Sequence, residues 1–184
     1  MGHIDTQALI AHLRSQLLVN WHGHHGISHW ARVRVNGLML ARETGANPHV
    51  VELFAWFHDS KRVYEHEDIG HGSRGAILAQ KLRGQYFYAT DDEMDLLVHA
   101  CRYHSDGFIE GDVTVMTCWD ADRLDLGRVN MVPEPQYLCT AAAKREHSLQ
   151  KAHKSALSWK NRFDAYKPAD YHSAFKGDHQ WTKG

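Results

Sequence analysis

The stretch that decides the fold is VVELFAWFHDS, which runs from Val50 to Ser60. Asn47 and Pro48 precede it, and this pair is typical of a helix N-cap followed by proline at the first helical position. The apolar residues of the stretch recur at helical spacing over most of its length. The sequence therefore predicts a buried helix that begins near Pro48.

An imidazole and a carboxylate, His58 and Asp59, stand side by side at the end of this predicted helix. Two ionisable side chains in a buried position are costly unless something compensates them, and a bound metal ion is one such compensator. Because adjacent residues on a helix point about 100° apart, both can reach one ion only where the helix ends. Ser60 and the charged residues after it indicate such an end. By itself, the pair is equally compatible with an ordinary polar helix terminus.

The composition fits one globular domain. The 184 residues are 43% hydrophobic, and we expect a single domain over residues 1–165 followed by a C-terminal tail, residues 166–184. A formal net charge of −1 gives no global argument for binding to nucleic acid or a membrane. No apolar stretch is long enough to span a bilayer, and no signal-peptide pattern opens the chain. These features predict a cytoplasmic protein.

The cysteines give no indication of a metal site, whereas the histidines do. Cys101, Cys118 and Cys139 are an odd number of thiols without metal-ligand spacing, which favours reduced, structural cysteines. The 16 histidines are unusually many and favour metal chemistry.

The rest of the chain shows helical periodicity and no convincing strand alternation, so we expect an all-α bundle of about seven helices. Residues 61–69 are highly charged and are interpreted as an exposed loop. Thr90 and the acids after it predict a strong helix start. The other helical segments are predicted at residues 5–19, 28–43, 71–84, 91–102, 113–126, 137–149 and 152–163.

Several histidines and aspartates fall at the ends of these predicted helices rather than on solvated faces. They can meet only if the helices pack as a bundle with these ends converging inside it. Nitrogen and oxygen donors without a thiolate suit one or two divalent ions of Mn, Fe, Co, Ni, Zn or Mg. The candidate metal ligands are His29, His58, Asp59, His71, His104 and Asp122.

The order His…His-Asp…Asp resembles the HD superfamily of metal-dependent phosphohydrolases, over about residues 22–144. His29, within His-Trp-Ala-Arg-Val, is similar to the family's first ligand, and His58 with Asp59 is similar to its doublet. Asp122, within Ala-Asp-Arg-Leu-Asp, is similar to the last ligand. Asp120 is a rival, but two positions on a helix differ by about 200°, so only one can face the metal. The Ala-Asp-Arg context favours Asp122.

His71 and His104 resemble the extra histidines of binuclear members of the superfamily. Those members include the HD-GYP cyclic-dinucleotide phosphodiesterases and a branch that hydrolyses diadenosine polyphosphates. The chain lacks the Gly-Tyr-Pro segment and the His-Asp-x-Gly-Lys loop, so the resemblance does not imply cyclic-dinucleotide cleavage. Each histidine could instead belong to an ordinary helix terminus, His71 as a cap beside Gly72 and His104 as a favourable charge at a C-terminus.

The resemblance implies an HD-domain helical bundle that hydrolyses a phosphoester or phosphoanhydride of a nucleotide or similar small metabolite. Asp59 would orient the attacking water or bridge two ions. Lys61 and Arg62 would neutralise charge on the phosphoryl oxygens, although such cations are most often a solvated basic face. Arg74 and His25 are candidate substrate contacts. Two alternatives stay open, namely a di-iron oxygenase of the HD-like type and a non-catalytic domain that binds a nucleotide or metal.

Overall fold

The computed structural model describes residues 3–166, and within them the chain is helical. It forms eight α-helices, two short 3₁₀ helices and, in this described part, no β-strand beyond two isolated bridges. The prediction of an all-α fold is confirmed. The 3₁₀ helices cover Leu126–Val129 and Pro135–Tyr137. The α-helices are α1 (Thr6–Gln16), α2 (Ile27–Thr44), α3 (Pro48–Phe57), α4 (His71–Leu82), α5 (Asp91–Tyr103), α6 (Val113–Arg123), α7 (Ala141–Lys144) and α8 (Glu146–Tyr166).

Helix α3 is the centre of the bundle. It packs against α2, α4, α5 and α6, and nearly all of its side chains are buried. The Asn47 side chain accepts hydrogen bonds from the backbone of His49 and Val50, so the predicted N-cap is confirmed. The last helical residue is Phe57, and the chain turns immediately afterwards. That turn places His58 and Asp59 inside the bundle rather than on its surface.

Two glycines allow α4 to approach its neighbours closely. A Cβ atom on Gly72 would lie 2.1 Å from the carbonyl oxygen of Cys101, on α5. A Cβ atom on Gly75 would lie 2.3 Å from the carbonyl oxygen of Phe57, at the end of α3. Neither separation is possible for a real side chain, so both positions require glycine. This packing brings the first turn of α4 to the ends of α3 and α5.

The chain after α6 differs from the prediction of a single helix over residues 137–149. Thr140 caps the short helix α7, and Arg145 then adopts an extended conformation that separates α7 from α8. Helix α8 continues without a break through residues 150 and 151, where the sequence had suggested a boundary. The predicted C-terminal tail lies outside the described residues, except for Tyr166 at the end of α8. No helix in the described part is long and apolar enough to cross a membrane.

The charged segment between α3 and α4 is less exposed than predicted. Arg62 and Asp68 are both buried, at 8% exposure each. Arg74 donates hydrogen bonds to the Asp68 carboxylate (2.5 Å) and to the carbonyl oxygens of Lys61 (3.0 Å) and Ile69 (3.1 Å). Asp68 is therefore compensated by Arg74 of α4, and the Arg62 guanidinium lies 3.3 Å from the Asp59 carboxylate, which is why these charges can be buried.

Candidate metal centre

The ends of α2, α3 and α6 bring four donor residues together, and we call these the first group. The Nε2 atoms of His29 and His58 are 3.1 Å apart. The Oδ2 atom of Asp59 lies 3.5 Å from the first of these nitrogens and 3.6 Å from the second. The Oδ1 atom of Asp122 lies 3.3 Å from His29 Nε2 and 3.8 Å from His58 Nε2. Both histidines are completely buried.

The other oxygen of Asp59 faces a second group, which consists of Asp59, His71 and His104. The Nε2 atoms of the two histidines are 2.9 Å apart. The Oδ1 atom of Asp59 lies 3.2 Å from His71 Nε2 and 3.8 Å from His104 Nε2. The structure therefore brings together all six residues that the sequence singled out as candidate ligands, with Asp59 shared between the groups.

The hydrogen bonds behind the four imidazoles fix which ring nitrogen faces the centre. Each Nδ1 atom lies within hydrogen-bond distance of an oxygen that can only accept, so each Nδ1 carries a hydrogen. In a neutral imidazole the Nε2 atom then presents a lone pair, and each group contains two such lone pairs facing each other. The Nδ1 partners are Asp125 Oδ2 for His29 (2.7 Å), Phe54 O for His58 (3.1 Å), Asp68 O for His71 (2.6 Å) and Cys101 O for His104 (2.7 Å).

This donor set fits divalent metal ions. Two neutral lone pairs at hydrogen-bond distance repel each other unless a proton or a cation lies between them. Ligand atoms bound at 2.0–2.2 Å to one ion are themselves roughly 3.0–3.5 Å apart, close to the separations in both groups. Imidazole nitrogen and carboxylate oxygen suit zinc and the first-row transition metals. The first group could hold one ion, and the second group could hold another through Asp59.

The pKa values of the first group show that its two carboxylates favour positive charge nearby. Although burial by itself raises the pKa of the Asp59 carboxyl, the surrounding histidines hold it well below its usual range. The pKa of Asp122 is likewise lowered despite burial, through its hydrogen bond with His29. Burial lowers the pKa of His58 to about 3. In contrast, hydrogen bonds with Asp122, Asp125 and Asp59 overcome burial and raise the pKa of His29 to about 9. One imidazole of the pair thus takes a proton to balance the carboxylates.

Asp125 supports the first group and was missed by the sequence analysis. Its buried carboxylate accepts hydrogen bonds from His29 Nδ1 and from two nitrogens of Arg32, at 2.6 Å and 2.9 Å. It therefore fixes the orientation of the His29 ring. It lies just after α6, but its position three residues after Asp122 in the helix predicted over residues 113–126 is the feature of the sequence that could have revealed it.

Asp120 points away from the cluster. Its carboxylate is completely buried and accepts hydrogen bonds from the backbone of Cys139 (2.7 Å) and Thr140 (2.8 Å) and from the Thr140 hydroxyl (2.7 Å). Asp120 therefore stabilises the segment before α7 through hydrogen bonds. Asp122, on the opposite face of α6, lies in the first group.

The three cations that the sequence proposed for phosphate binding lie in different places. Arg62 reaches the second group, where its Nη1 atom lies 3.3 Å from Asp59 Oδ1 and 3.1 Å from His71 Nε2. Lys61 and Arg74 instead line a separate groove between α1 and α4. The guanidinium of Arg74 is also occupied by the loop contacts described above. The geometry therefore does not support the expected catalytic role of Lys61 or the expected substrate contact of Arg74.

His25 lies at the edge of the first group. Its ring meets that of His29 edge-on, with 6.3 Å between the ring centroids. Its Nδ1 atom lies 2.8 Å from the Oε2 atom of Glu65, a partner that the sequence did not suggest. Burial lowers the pKa of His25 and raises the pKa of Glu65. Burial thus disfavours the charged form of each member of this hydrogen-bonded pair.

A cleft of about 380 Å³ leads from solvent to the second group. His71 and His104 lie on its wall together with Arg62, while the first group lies behind them. A small molecule that enters this cleft would therefore meet the second group before the first. The volume is in the range of sites that bind small ligands.

Comparison with known proteins identifies the fold. No known family profile matches the chain, and no curated protein matches it. Among solved structures, the chain is similar to the 1.45 Å crystal structure of a predicted HD superfamily hydrolase from an uncultured Thermotogales bacterium. The TM-score is 0.64 at 22% sequence identity, and the alignment covers 88% of this chain and 92% of that one. The chain therefore has the HD-domain fold, as the resemblance found in the sequence implied.

Proposed function

We propose that this protein is a metal-dependent phosphohydrolase that cleaves a phosphoester or phosphoanhydride bond in a nucleotide or similar small metabolite. The observation that carries the proposal is the pair of donor groups around Asp59, in which four imidazole Nε2 atoms face inward in a buried site. The similarity in fold to a predicted HD superfamily hydrolase supports it. The size of the cleft favours a small substrate over a polymer.

Six residues would hold the metal. His29, His58 and Asp122 would bind an ion in the first group, His71 and His104 would bind one in the second, and Asp59 would contribute one oxygen to each. When bound, divalent ions in such sites lower the pKa of a coordinated water and polarise a phosphoryl oxygen.

The remaining residues prepare the site for a phosphoryl group. Asp125 and three backbone carbonyls hold the imidazole rings in the orientation that binding requires. Arg62 places a permanent positive charge beside Asp59 and on the wall of the cleft, where it can neutralise charge that develops on phosphoryl oxygens. Asp59 stays ionised because its pKa is lowered, so it can accept a hydrogen bond from a water molecule and orient it for attack.

The test combines metal analysis with an activity screen. The purified protein is analysed for bound metal, stripped with a chelator, and reloaded with Mn²⁺, Fe²⁺, Co²⁺, Ni²⁺, Zn²⁺ or Mg²⁺. Each form is assayed for hydrolysis of nucleoside mono-, di- and triphosphates, dinucleoside polyphosphates and p-nitrophenyl phosphate, with phosphate, pyrophosphate and nucleotide products all measured. We expect metal-dependent hydrolysis that the stripped protein lacks. A product that forms only with iron and O₂, or metal binding without any hydrolysis, would contradict the proposal.

A further inference from the structure

We propose that Arg102 binds a second anionic group of the substrate at the mouth of the cleft, so that the site prefers small molecules with more than one phosphoryl group. This inference rests on the proposed function and deepens it. The reacting phosphoryl group would lie at the donor groups around Asp59, and the next phosphoryl group would lie against Arg102.

The first step of the argument is that the other nearby cations are already engaged. All three nitrogens of the Arg62 guanidinium have protein partners, which are Asp59, His71 and the carbonyl oxygens of Tyr64 and His66. The guanidinium of Arg74 is likewise held by the loop between α3 and α4. The charge of Arg62 can therefore act on a phosphoryl group at the floor of the cleft, but a second phosphoryl group needs a cation with free hydrogen-bond donors.

Arg102 is placed to be that donor. It lies in the last turn of α5, two residues before His104, and it lines the same cleft as Arg62 and His71. Its side chain is exposed, and no side chain or backbone atom in the described part of the chain forms a hydrogen bond or ion pair with its guanidinium. A free guanidinium offers paired donors that match the geometry of phosphate oxygens.

Arg102 offsets negative charge on the wall of the cleft. The carboxylates of Glu67, Asp68 and Asp106 also line the cleft. The Asp68 carboxylate is engaged by Arg74 and by the backbone N–H of Val63, but the other two would repel a polyanion. Without Arg102, the outer part of the cleft would carry an excess of negative charge. A phosphoryl chain that extends outward from the centre therefore needs this cation.

A purely structural role for Arg102 is the competing explanation. A cation in the last turn of a helix stabilises the partial negative charge of the helix C-terminus. That role predicts a lower melting temperature for the variant and unchanged ligand binding. The two explanations thus differ in a measurable way.

The experiment compares three variants of the full-length, metal-loaded protein. Arg102→Gln removes the charge, and Arg102→Lys keeps the charge but loses the paired donors. Arg42→Gln is the matched control, because Arg42 is also exposed, lies in the last turn of α2, and lacks a protein partner among the described residues. Binding of AMP and ADP is measured by calorimetry at a constant free metal concentration, and melting temperatures are recorded in parallel.

We expect Arg102→Gln to weaken ADP binding at least tenfold, to change AMP binding less than twofold, and to leave metal content unchanged. Arg102→Lys should recover part of the loss, and Arg42→Gln should change neither affinity. Where ADP is hydrolysed, KM should rise in Arg102→Gln with little change in kcat. Equal affinities for ADP in the wild type and Arg102→Gln would overturn the inference, whether or not the melting temperature falls. Because binding is measured directly, an absence of hydrolysis would defeat the proposed function without deciding the role of Arg102.

Discussion

The first and second groups of the candidate metal centre differ in how they are enclosed. The first group is built from the ends of three helices in the interior, and its histidines are inaccessible to solvent. The second group lies on the wall of the cleft, and its two additional histidines come from the first turn of α4 and the residue that follows α5. From this comparison we expect that an ion bound in the first group would exchange more slowly than an ion bound in the second group, which is reached from the cleft.

The two groups also differ in charge. In the first group two carboxylates, Asp59 and Asp122, face two imidazoles. The second group shares only Asp59, and the guanidinium of Arg62 already supplies positive charge beside it. A divalent cation therefore gains more from the first group than from the second, and we expect the first site to fill at the lower metal concentration.

The largest expected effect comes from removing the carboxylate that the groups share. Asp59→Ala should abolish metal binding at both sites, while His58→Ala should abolish it in the first group. Both variants should lose activity and the stabilisation that bound metal gives, which is about 2.7 kcal/mol at a metal concentration near 100 Kd. Metal content is measured by elemental analysis and stability by thermal unfolding. The exposed His147 provides the control variant His147→Ala. Stoichiometric metal in both ligand variants would show that the centre is misassigned.

The next comparison separates the two aspartates of α6. Asp122→Asn should eliminate hydrolysis because it weakens a ligand of the first group, with little effect on the stability of the metal-free protein. Asp120→Asn should retain much of the activity but lose about 1–3 kcal/mol of stability, because a buried acceptor of three hydrogen bonds is altered. Denaturant unfolding and phosphate release measure the two effects. The opposite pattern would mean that Asp120, not Asp122, serves the centre.

Removing the second group alone tests the number of ions. The double substitution His71→Ala with His104→Ala should reduce the metal content from about two ions to one and slow hydrolysis by orders of magnitude. If these histidines only terminate helices, the change should instead cost about 1 kcal/mol and leave metal and rate nearly intact. A crystal soaked in Mn²⁺ that shows one ion, with both imidazoles turned away from it, would also contradict the prediction.

A smaller effect is expected from the cation beside the second group. Arg62→Gln should tighten binding of the second ion by about tenfold, or ~1.4 kcal/mol, because it removes a positive charge next to His71 Nε2. The first ion should bind as before, and kcat should fall because a phosphate-facing charge is lost. Metal titrations measure the affinity of each ion in Arg62→Gln. The control is Arg74→Gln, because Arg74 lies in helix α4 and does not touch the ligand atoms. Weaker binding of the second ion in Arg62→Gln would mean that Arg62 mainly positions the loop.

Local sequence features predicted the helices that carry the centre. Asn47 with Pro48 determines where α3 begins, and Thr90 with the acids of the first turn determines where α5 begins. The structure contains the full capping box at Thr90 and Glu93. Helical geometry also gave the correct expectation that only one of Asp120 and Asp122 faces the cluster. Such features depend on a few neighbouring residues, so they are visible in one sequence.

The contacts that the sequence did not predict join residues that are far apart in the chain. Asp125 pairs with His29 and Arg32 across more than ninety positions, and Glu65 pairs with His25 across forty. The sequence predicts a solvated loop at residues 61–69, whereas in the fold Asp68 pairs with Arg74 of α4 and Arg62 pairs with Asp59 at the end of α3. Among residues 3–166, the packed structure shows that Arg62 and Arg74 are engaged and that Arg102 has no partner, which one sequence does not reveal.

The second group depends on the close approach of α4 to α5 at Gly72, so the spacing of these helices would limit how many ions the protein can bind. The neighbouring residue, His71, reaches His104 only because no methyl group stands between Gly72 and the Cys101 carbonyl. Gly72→Ala would force the helices apart and separate the two imidazoles without altering any ligand. A single added carbon atom, without any change of donor residue, would then disrupt the second group and leave the first group intact.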